Sequence, residues 1–296
     1  MTTPDPIATA IQTRLDALDA GNRLSAWSLI ISFLGDAISP RGGEVSAGAV
    51  QMVMERLGIG HGAVRTAISR LSADGWIERT REGRNSFYRL SPDVAETVQR
   101  AERRIYAPSS CLPPEGPQTL VIGADAFDPG ALDMLEALGA LMLNPQLALC
   151  FTAATALPES LRPPATTLAA VSALDPGTDT IARIAVARQR ADLEAIRTAY
   201  AGVPAMLEGQ SAIAPGDAMA LRCLLVHEWR RIALRIIAIP AELVQPDDPE
   251  PETRALVARI YAQLVPASEA WLDDNATTPN GALPPPDGGF AARFAR

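Results

Sequence analysis

EVSAGAVQMVMERLGIGHGAVRTAISRLSADGWIERTREGRNSFYRL, residues 44–90, is the stretch that decides the fold. Val50, Val53, Met54 and Leu57 recur at i, i+3, i+4 and i+7, the spacing of one buried helical stripe, and predict a helix over about Ala47–Leu57. Gly58-Ile59-Gly60 interrupts it. A second helix is expected from about His61 to Ala73, with Val64, Ala67, Ile68 and Leu71 inward and Arg65, Thr66, Ser69 and Arg70 outward. Gly75 stops that helix, and Trp76–Thr80 and Ser86–Leu90 read as two strands around the Gly-containing loop Arg81–Asn85. Helix, turn, helix and basic hairpin together make a winged helix-turn-helix. Short polar and Arg side chains on the second helix suit the major groove, where they reach base edges and phosphates.

A helix pair joined by glycine also occurs in proteins that bind no nucleic acid, so charge has to separate the two readings. Residues 60–90 hold six arginines (65, 70, 79, 81, 84 and 89) against Asp74, Glu78 and Glu82, a net +3 on a chain of −8. A basic island on an acidic chain is the footprint of a local phosphate-binding surface, while the acidic remainder is kept off the duplex. The candidate DNA contacts are His61, Arg65, Thr66, Ser69 and Arg70 on the helix, and Arg79, Arg81, Arg84 and Asn85 on the wing. His61 is either a phosphate or base contact or an idle exposed ring. One such domain covers few base pairs, so two copies on adjacent half-sites, a homodimer, are expected.

All 26 basic residues are arginine, so the choice of Arg at any one position says little about bidentate recognition. Cys111, Cys150 and Cys223 show no CxxC spacing and read as free thiols in a reducing compartment. The most apolar run, Trp27–Leu34, falls far short of the ~20 residues a bilayer requires. Met1–Ala10 lacks the positive start of a signal peptide. The expectation is a cytoplasmic protein with no membrane contact and no cofactor.

Working outward, Thr9–Ala20 and Ser25–Ile38 predict two further helices ahead of the decisive stretch, and Asp93–Tyr106 a charged linking helix after it. Pro108, Pro113, Pro114 and Pro117 mark a boundary. Thr119–Gly123, Ala140–Leu143, Leu147–Thr152 and Thr167–Val171 are strand-like and Gly130–Leu138 helical, the pattern of a small ferredoxin-like α+β unit. From Asp179 the chain predicts helices striped by Ile181, Ile184, Leu193, Ile196 and Tyr200, then by Leu221, Leu225, Trp229, Ile232 and Ile236, then by Leu256, Ile260 and Leu264. The expected class is multidomain α+β: 1–92 winged domain with its amino-terminal helix, 93–107 linker, 108–176 ferredoxin-like domain, 177–273 helical domain, and a Pro- and Gly-rich tail 274–296 expected to be disordered.

Gly42-Gly43-Glu44, Leu57-Gly58, Val64-Arg65-Thr66-Ala67, Arg70-Leu71, Gly75-Trp76 and Gly83–Leu90 resemble the amino-terminal domain of the PaaX family, bacterial repressors of phenylacetate-degradation operons. The resemblance continues at Ala101–Tyr106, Leu225–Arg231 and Ile239–Leu243. The chain departs from the family in lacking the usual Asp-Pro ahead of the last block, where it has Ile236–Ile239, and matches weakly over about 108–175. The resemblance implies repression by operator occupancy, the ferredoxin-like middle, and a carboxy-terminal part that senses an aryl-acetyl-CoA thioester such as phenylacetyl-CoA, controlling aromatic-acid catabolism. Arg222, Arg230, Arg231 and Arg235 lie along one predicted helix. They either meet CoA phosphates or form salt bridges with acidic residues such as Glu228 or Glu250.

Catalysis is poorly supported. His61 and His227 are the only histidines, and no GxSxG elbow, phosphate loop, GxGxxG fingerprint or zinc-protease motif is present. Cys223 and His227 share a helical face at i, i+4, which would suit a thiolate pair. A packed helix with a polar rim explains them better. Two other classes stand beside the repressor: a winged-helix protein-interaction module, which would show no DNA sequence preference, and a CoA-ester-handling enzyme, which would need a nucleophile.

Overall fold

The computed structural model describes residues 6–20, 24–113, 116–162, 164–209 and 213–295. The chain runs α1 (Pro6–Ala20), α2 (Ala26–Phe33), β1 (Glu44–Ser46), α3 (Ala47–Arg56), α4 (His61–Ala73), β2 (Ile77–Glu82), β3 (Asn85–Leu90) and α5 (Pro92–Ile105). It continues through β4 (Cys111–Leu112), β5 (Gln118–Gly123), α6 (Pro129–Ala137), β6 (Leu141–Asn144), β7 (Leu147–Cys150), β8 (Thr166–Val171), α7 (Thr178–Ala187) and α8 (Arg190–Tyr200). The remainder is α9 (Val203–Glu208), α10 (Pro215–Ala233), β9 (Ile239–Pro240), α11 (Glu250–Asn275), β10 (Thr277–Thr278), β11 (Gly281–Ala282) and α12 (Gly288–Ala291). The class is α+β.

These elements gather into two compact units that are not consecutive in sequence. The first comprises Met1–Pro108, Ile196–Leu234 and Arg254–Arg296; the second comprises Ser109–Ala195 and Arg235–Thr253. The expected segment 177–273 is divided between these two units.

In the first unit, α2 carries a nearly continuous apolar run and buries Leu29, Ile30, Ile31 and Phe33. It packs on α3, α4 and α10. Helix α10 is buried on every side from Asp217 to Trp229. The amphipathic stripe expected there was therefore too narrow. The helix tolerates charges inside because each one meets an opposite charge from a distant segment. Glu228 accepts from Arg14 Nε at 2.8 Å and from the Tyr200 hydroxyl at 2.6 Å. Arg222, fully buried, donates its Nε to Asp36 at 2.7 Å and its Nη1 to Glu269 at 2.6 Å.

Asp36 lies where α2 widens into a short π-helical turn, Leu34–Ile38. Its carboxylate also accepts from the hydroxyls of Tyr106 at 2.7 Å and Tyr261 at 2.8 Å, and from Arg293 Nη1 at 2.9 Å. π-turns within helices are rare and recur where a side chain needs special placement. Here the turn carries the carboxylate on which four donors converge.

Residues 274–295, within the tail expected to be disordered, form defined elements. Helix α11 runs on to Asn275, β10 and β11 form a hairpin, and α12 is capped by Asp287, which accepts from the amides of Gly289 and Phe290. The Asp287 amide donates to Pro40 O and the Phe294 amide to Tyr106 O, both at 2.9 Å. Phe294 makes edge contacts with the Tyr106 and Tyr261 rings, and Phe290 lies tilted 6.5 Å from Tyr261. A Pro- and Gly-rich composition signals little core of its own, and this segment instead borrows one.

In the second unit, β6-β7-β5-β8 form a four-stranded antiparallel sheet. One face buries Val121, Leu135, Ala148, Leu157 and Leu161, and the other Leu141, Leu149, Ile184, Ile239 and Leu243. Alternating strand residues supply the two faces, as the pleat requires. Short 3₁₀ turns at Ala154–Ala156 and Glu159–Leu161 carry the chain from β7 to β8. Buried Arg188 is held by Asp248, by Glu250 at 3.5 Å and by Ser110 Oγ at 3.2 Å, close to the parallel pairing of β4 with β9.

Candidate nucleic-acid interface

Helix α3 opens on Ser46, whose hydroxyl accepts from the Ala49 amide, and Gly58 ends it with φ at +72°. The left-handed conformation costs glycine little and lets the chain turn straight into α4. Val64, Ala67 and Leu71 bury one stripe of α4, and helical geometry then sets His61, Arg65, Thr66, Ser69 and Arg70 in solvent. All five are exposed.

The hairpin is tighter and longer than expected. Glu82 pairs with Asn85, so the connection is only Gly83-Arg84, with Gly83 at φ +57°. Arg81 and Asn85, assigned to a loop, are strand residues, and Arg84 stands at the tip. A two-residue turn with positive φ matches the right-handed twist of the paired strands, which explains the extra length. Sequence reasoning missed a third strand: β1 pairs antiparallel with β3, Val45 opposite Tyr88. Three residues are too few to show a period of two, so nothing local announced it. The sheet β1-β3-β2 buries Val45, Ile77, Phe87, Tyr88 and Leu90 on the helices and leaves all of β2 beyond Ile77 exposed.

Arg79 is steadied by Ser86, whose hydroxyl accepts from its Nε at 3.2 Å and its Nη2 at 2.6 Å. Arg70 sits 3.6 Å from Asp74, and Arg89 3.7 Å from Glu78, in pairs that are half-exposed or more. Such pairs are worth about 0–1 kcal/mol and yield readily to a phosphate. Among the described residues, Arg65, Arg81 and Arg84 have no ion pair. The basic groups are therefore presented to solvent and not consumed by the protein's own carboxylates.

The four arginines offered for an effector fare differently. Arg222 is corrected outright: fully buried between Asp36 and Glu269, with Tyr261 and Phe290 rings about its guanidinium, it is a structural cation. Arg230 donates to Ser32 Oγ at 2.7 Å and to Ser28 Oγ at 2.6 Å; burial, then neighbouring Arg231, pulls its proton affinity below the ordinary range. Arg231 is exposed. Arg235 lies beyond the end of α10, 2.8 Å from Asp192, so the four do not share one helix. The salt-bridge alternative describes Arg222 and Arg235, with partners other than those expected.

Cys223 and His227 are both buried in α10, and burial pushes the Cys223 thiol far above its ordinary range. The sulfur lies 3.8 Å from Leu29 O, and His227 Nδ1 lies 3.3 Å from Ser32 Oγ, so the two are packing residues without thiolate chemistry. Among the described residues no cluster of three or more metal-ligating side chains occurs, and no helix is long and apolar enough to cross a membrane.

Two family models match the chain, PaaX-like protein over residues 25–94 and PaaX-like protein C-terminal domain over 187–274. The chain is 30% identical to the transcriptional repressor PaaX of Escherichia coli (strain K12), over 92% of its own length and 90% of that protein's. A solved structure of an uncharacterized protein from Mycobacterium tuberculosis is 17% identical, covers 83% of this chain and 98% of its own, and superposes with a TM-score of 0.49.

Proposed function

We propose that this chain, which belongs to the PaaX family, is a sequence-specific DNA-binding transcriptional repressor whose residues 44–90 form a winged helix-turn-helix. The carrying observation is the joint exposure of Arg65, Thr66, Ser69 and Arg70 on α4 with Arg81 and Arg84 on the adjoining hairpin, on a basic stretch of an acidic chain. Helix α4 is the recognition helix, with Arg65 at a base edge; the wing sets Arg84 on the backbone, with Arg79, Arg81 and Asn85 beside it. His61, the first residue of α4, contacts a phosphate in this reading. The chain is a regulator and not an enzyme, acts on double-stranded DNA in the cytoplasm, and works as a homodimer.

For the second unit, the strand order β6-β7-β5-β8, with α6 between β5 and β6, supports a ferredoxin-like reading in which 3₁₀ turns replace the second helix. The effector is an aryl-acetyl-CoA thioester such as phenylacetyl-CoA, and the operon one for aromatic-acid catabolism; the family resemblance supports both. Arg230 and Arg231 are the remaining candidates for its phosphates.

Footprinting on DNA upstream of the chain's own gene, with and without phenylacetyl-CoA, tests the reading. Protection of two half-sites about one helical turn apart, lost on adding the thioester, is expected. No preferred sequence anywhere in that DNA would overturn the repressor; protection indifferent to the thioester would overturn the effector alone.

A further inference from the structure

We propose that the carboxy-terminal segment braces the DNA-binding surface: it grips the connector between α2 and β1 and so fixes the β2–β3 hairpin relative to α4, with Pro284, Asp287 and Arg293 as positioning residues. This rests on the reading of α4 and the hairpin as the pair that contacts DNA, and adds what holds that pair at one angle. Helix α4 packs on α2. The hairpin belongs to the sheet β1-β3-β2, in which β2 and β1 are the two edges. β2 follows α4 through Asp74-Gly75-Trp76, which holds one edge. The other edge is held only as firmly as β1, and β1 is reached from α2 through the buried π-turn Leu34–Ile38, the 3₁₀ turn Ser39–Arg41 and Gly42-Gly43. A 3₁₀ turn has poorer hydrogen-bond geometry than an α-helix, so the direction in which the chain enters β1 depends on what holds this connector from outside.

Residues 269–293 hold it point by point. Arg293 Nη1 donates to the Asp36 carboxylate at 2.9 Å and to the Asp36 carbonyl at 2.8 Å. The Asp287 amide donates to Pro40 O at 2.9 Å. Arg41, buried, donates its Nε to Pro284 O at 2.8 Å, its Nη1 to Glu269 at 3.1 Å and its Nη2 to Asp273 at 2.5 Å. At Gly42 the side left bare by glycine faces the Pro284 ring: a Cβ there would fall 2.9 Å from Pro284 Cγ. Just beyond, β10 lies against β1.

Charge-assisted bonds of this kind are the strong and directional ones. Arg41 and Arg293 make them with side chains only 5% and 6% exposed, so salt screens them little. The exposed arginines of α4 and the hairpin meet phosphates in water, where salt acts fully. A salt titration of DNA binding therefore varies the contacts with DNA and leaves the brace in place. With the brace loosened, α4 keeps its seat on α2 and its reading of bases, while the hairpin swings about its α4 edge and Arg84 at its tip leaves the backbone.

The test is a pair of glycine variants of the full chain, titrated over a range of salt with the DNA upstream of its own gene. Gly42 and Gly43 have φ +87° and +78°, so an added Cβ strains both backbones alike. Only at Gly42 does it strike the carboxy-terminal segment; at Gly43 nothing lies within 4 Å. A proline ring cannot swing aside as a long side chain does, so Gly42→Ala pushes the segment off the connector. The salt slope should then be shallower by roughly one, the loss of one phosphate contact, with base preference kept. Gly43→Ala should keep the wild-type slope, and adding Pro284→Ala to Gly42→Ala, which removes the struck atom, should recover it. A slope does not change with the fraction of chain that is folded, so a merely structural loss leaves it unmoved. Equal slopes for the two glycine variants, or no recovery with Pro284→Ala, overturn the proposal. Should Gly42→Ala misfold, Arg293→Met must show the shallower slope, and a wild-type slope there overturns it as well. Hydrogen exchange on the same variants separates the two readings. Faster exchange in β1 and the hairpin for Gly42→Ala than for Gly43→Ala, in a wild type without DNA preference, sinks the repressor and spares the brace. A wild type that prefers its operator, with exchange and slope alike in both variants, does the reverse.

Discussion

Arg293 Nη1 donates to the carboxylate of Asp36 at 2.9 Å and to its backbone carbonyl at 2.8 Å, across 257 residues of sequence. Its Nη2 reaches Glu102 at 2.6 Å, on the helix that follows the β2–β3 hairpin, and its guanidinium lies 4.1 Å from the Tyr106 ring centroid. One side chain therefore ties the carboxy-terminal segment to α2, which packs on α3 and α4, and to α5.

Removing either partner should cost very different amounts. Asp36→Ala leaves Arg222 and Arg293 buried with one carboxylate fewer, and urea unfolding should show a loss of about 3–5 kcal/mol. Arg293→Met keeps the bulk and leaves Asp36 its bonds from Arg222, Tyr106 and Tyr261, so about 1–3 kcal/mol is expected. Equal losses would show that the network is not centred on Asp36.

Acid should act through the same carboxylate. Burial pushes Asp36 up, but Arg222 and Arg293, with the Tyr106 hydroxyl, more than offset it and hold the group below its ordinary range. A depressed carboxyl stabilises the fold above its unfolded value, about 4, and that contribution disappears as pH falls through the folded value. Glu102 is raised, mainly by burial, so its proton uptake on acidification favours the fold and partly offsets the loss. Stability followed downward from pH 5 should fall less steeply in Asp36→Asn than in the wild type; parallel curves would remove Asp36 from the account.

At the tip of the β2–β3 hairpin, Gly83→Val should misplace Arg84. No neighbour lies within 4 Å of the added Cβ, so only the backbone at φ +57° objects, at about 1–2 kcal/mol for a β-branched residue. Gly83→Asn, which tolerates that conformation, should bind operator nearly as well as the wild type. Identical losses for the two variants would point away from turn geometry.

Arg84→Ala should weaken binding to all DNA sequences and lower the salt slope by roughly one. Arg65→Ala should cost about 1–3 kcal/mol and relax preference at one base pair. Uniform loss across sequences would demote Arg65 to a phosphate contact, and an unchanged salt slope in Arg84→Ala would take the wing off the backbone.

Arg222→Ala should destabilise the fold, by about 3–5 kcal/mol in urea, because Asp36 and Glu269 lose a buried cation. Arg231→Ala, exposed, should leave stability within about 0.5 kcal/mol. A stable Arg222→Ala chain that had lost only its response to phenylacetyl-CoA would restore Arg222 to an effector site.

The sequence by itself determined whatever repeats within one element. The stripe Val64-Ala67-Leu71, the stop at Gly75 and the strand pair closed at Gly83 state their own geometry, so α4 and the hairpin, with their exposed arginines, were legible from residues 44–90. The four strands of the antiparallel sheet in the second unit were found within a residue or two for the same reason, since period and turn chemistry act over fewer than ten positions, whereas the two-residue strands β4 and β9 were not. Tertiary structure alone decided what depends on distant partners. Arg222 looks like any surface-capable arginine until Asp36, 186 residues away, neutralises it inside the core. The segment after Asp274 has the composition of a disordered chain, yet the pocket of Asp36, Glu102, Tyr106 and Tyr261 gives Arg293 and Phe294 a place to fold. Charge pairing and borrowed cores act through space, and local periodicity carries no record of them.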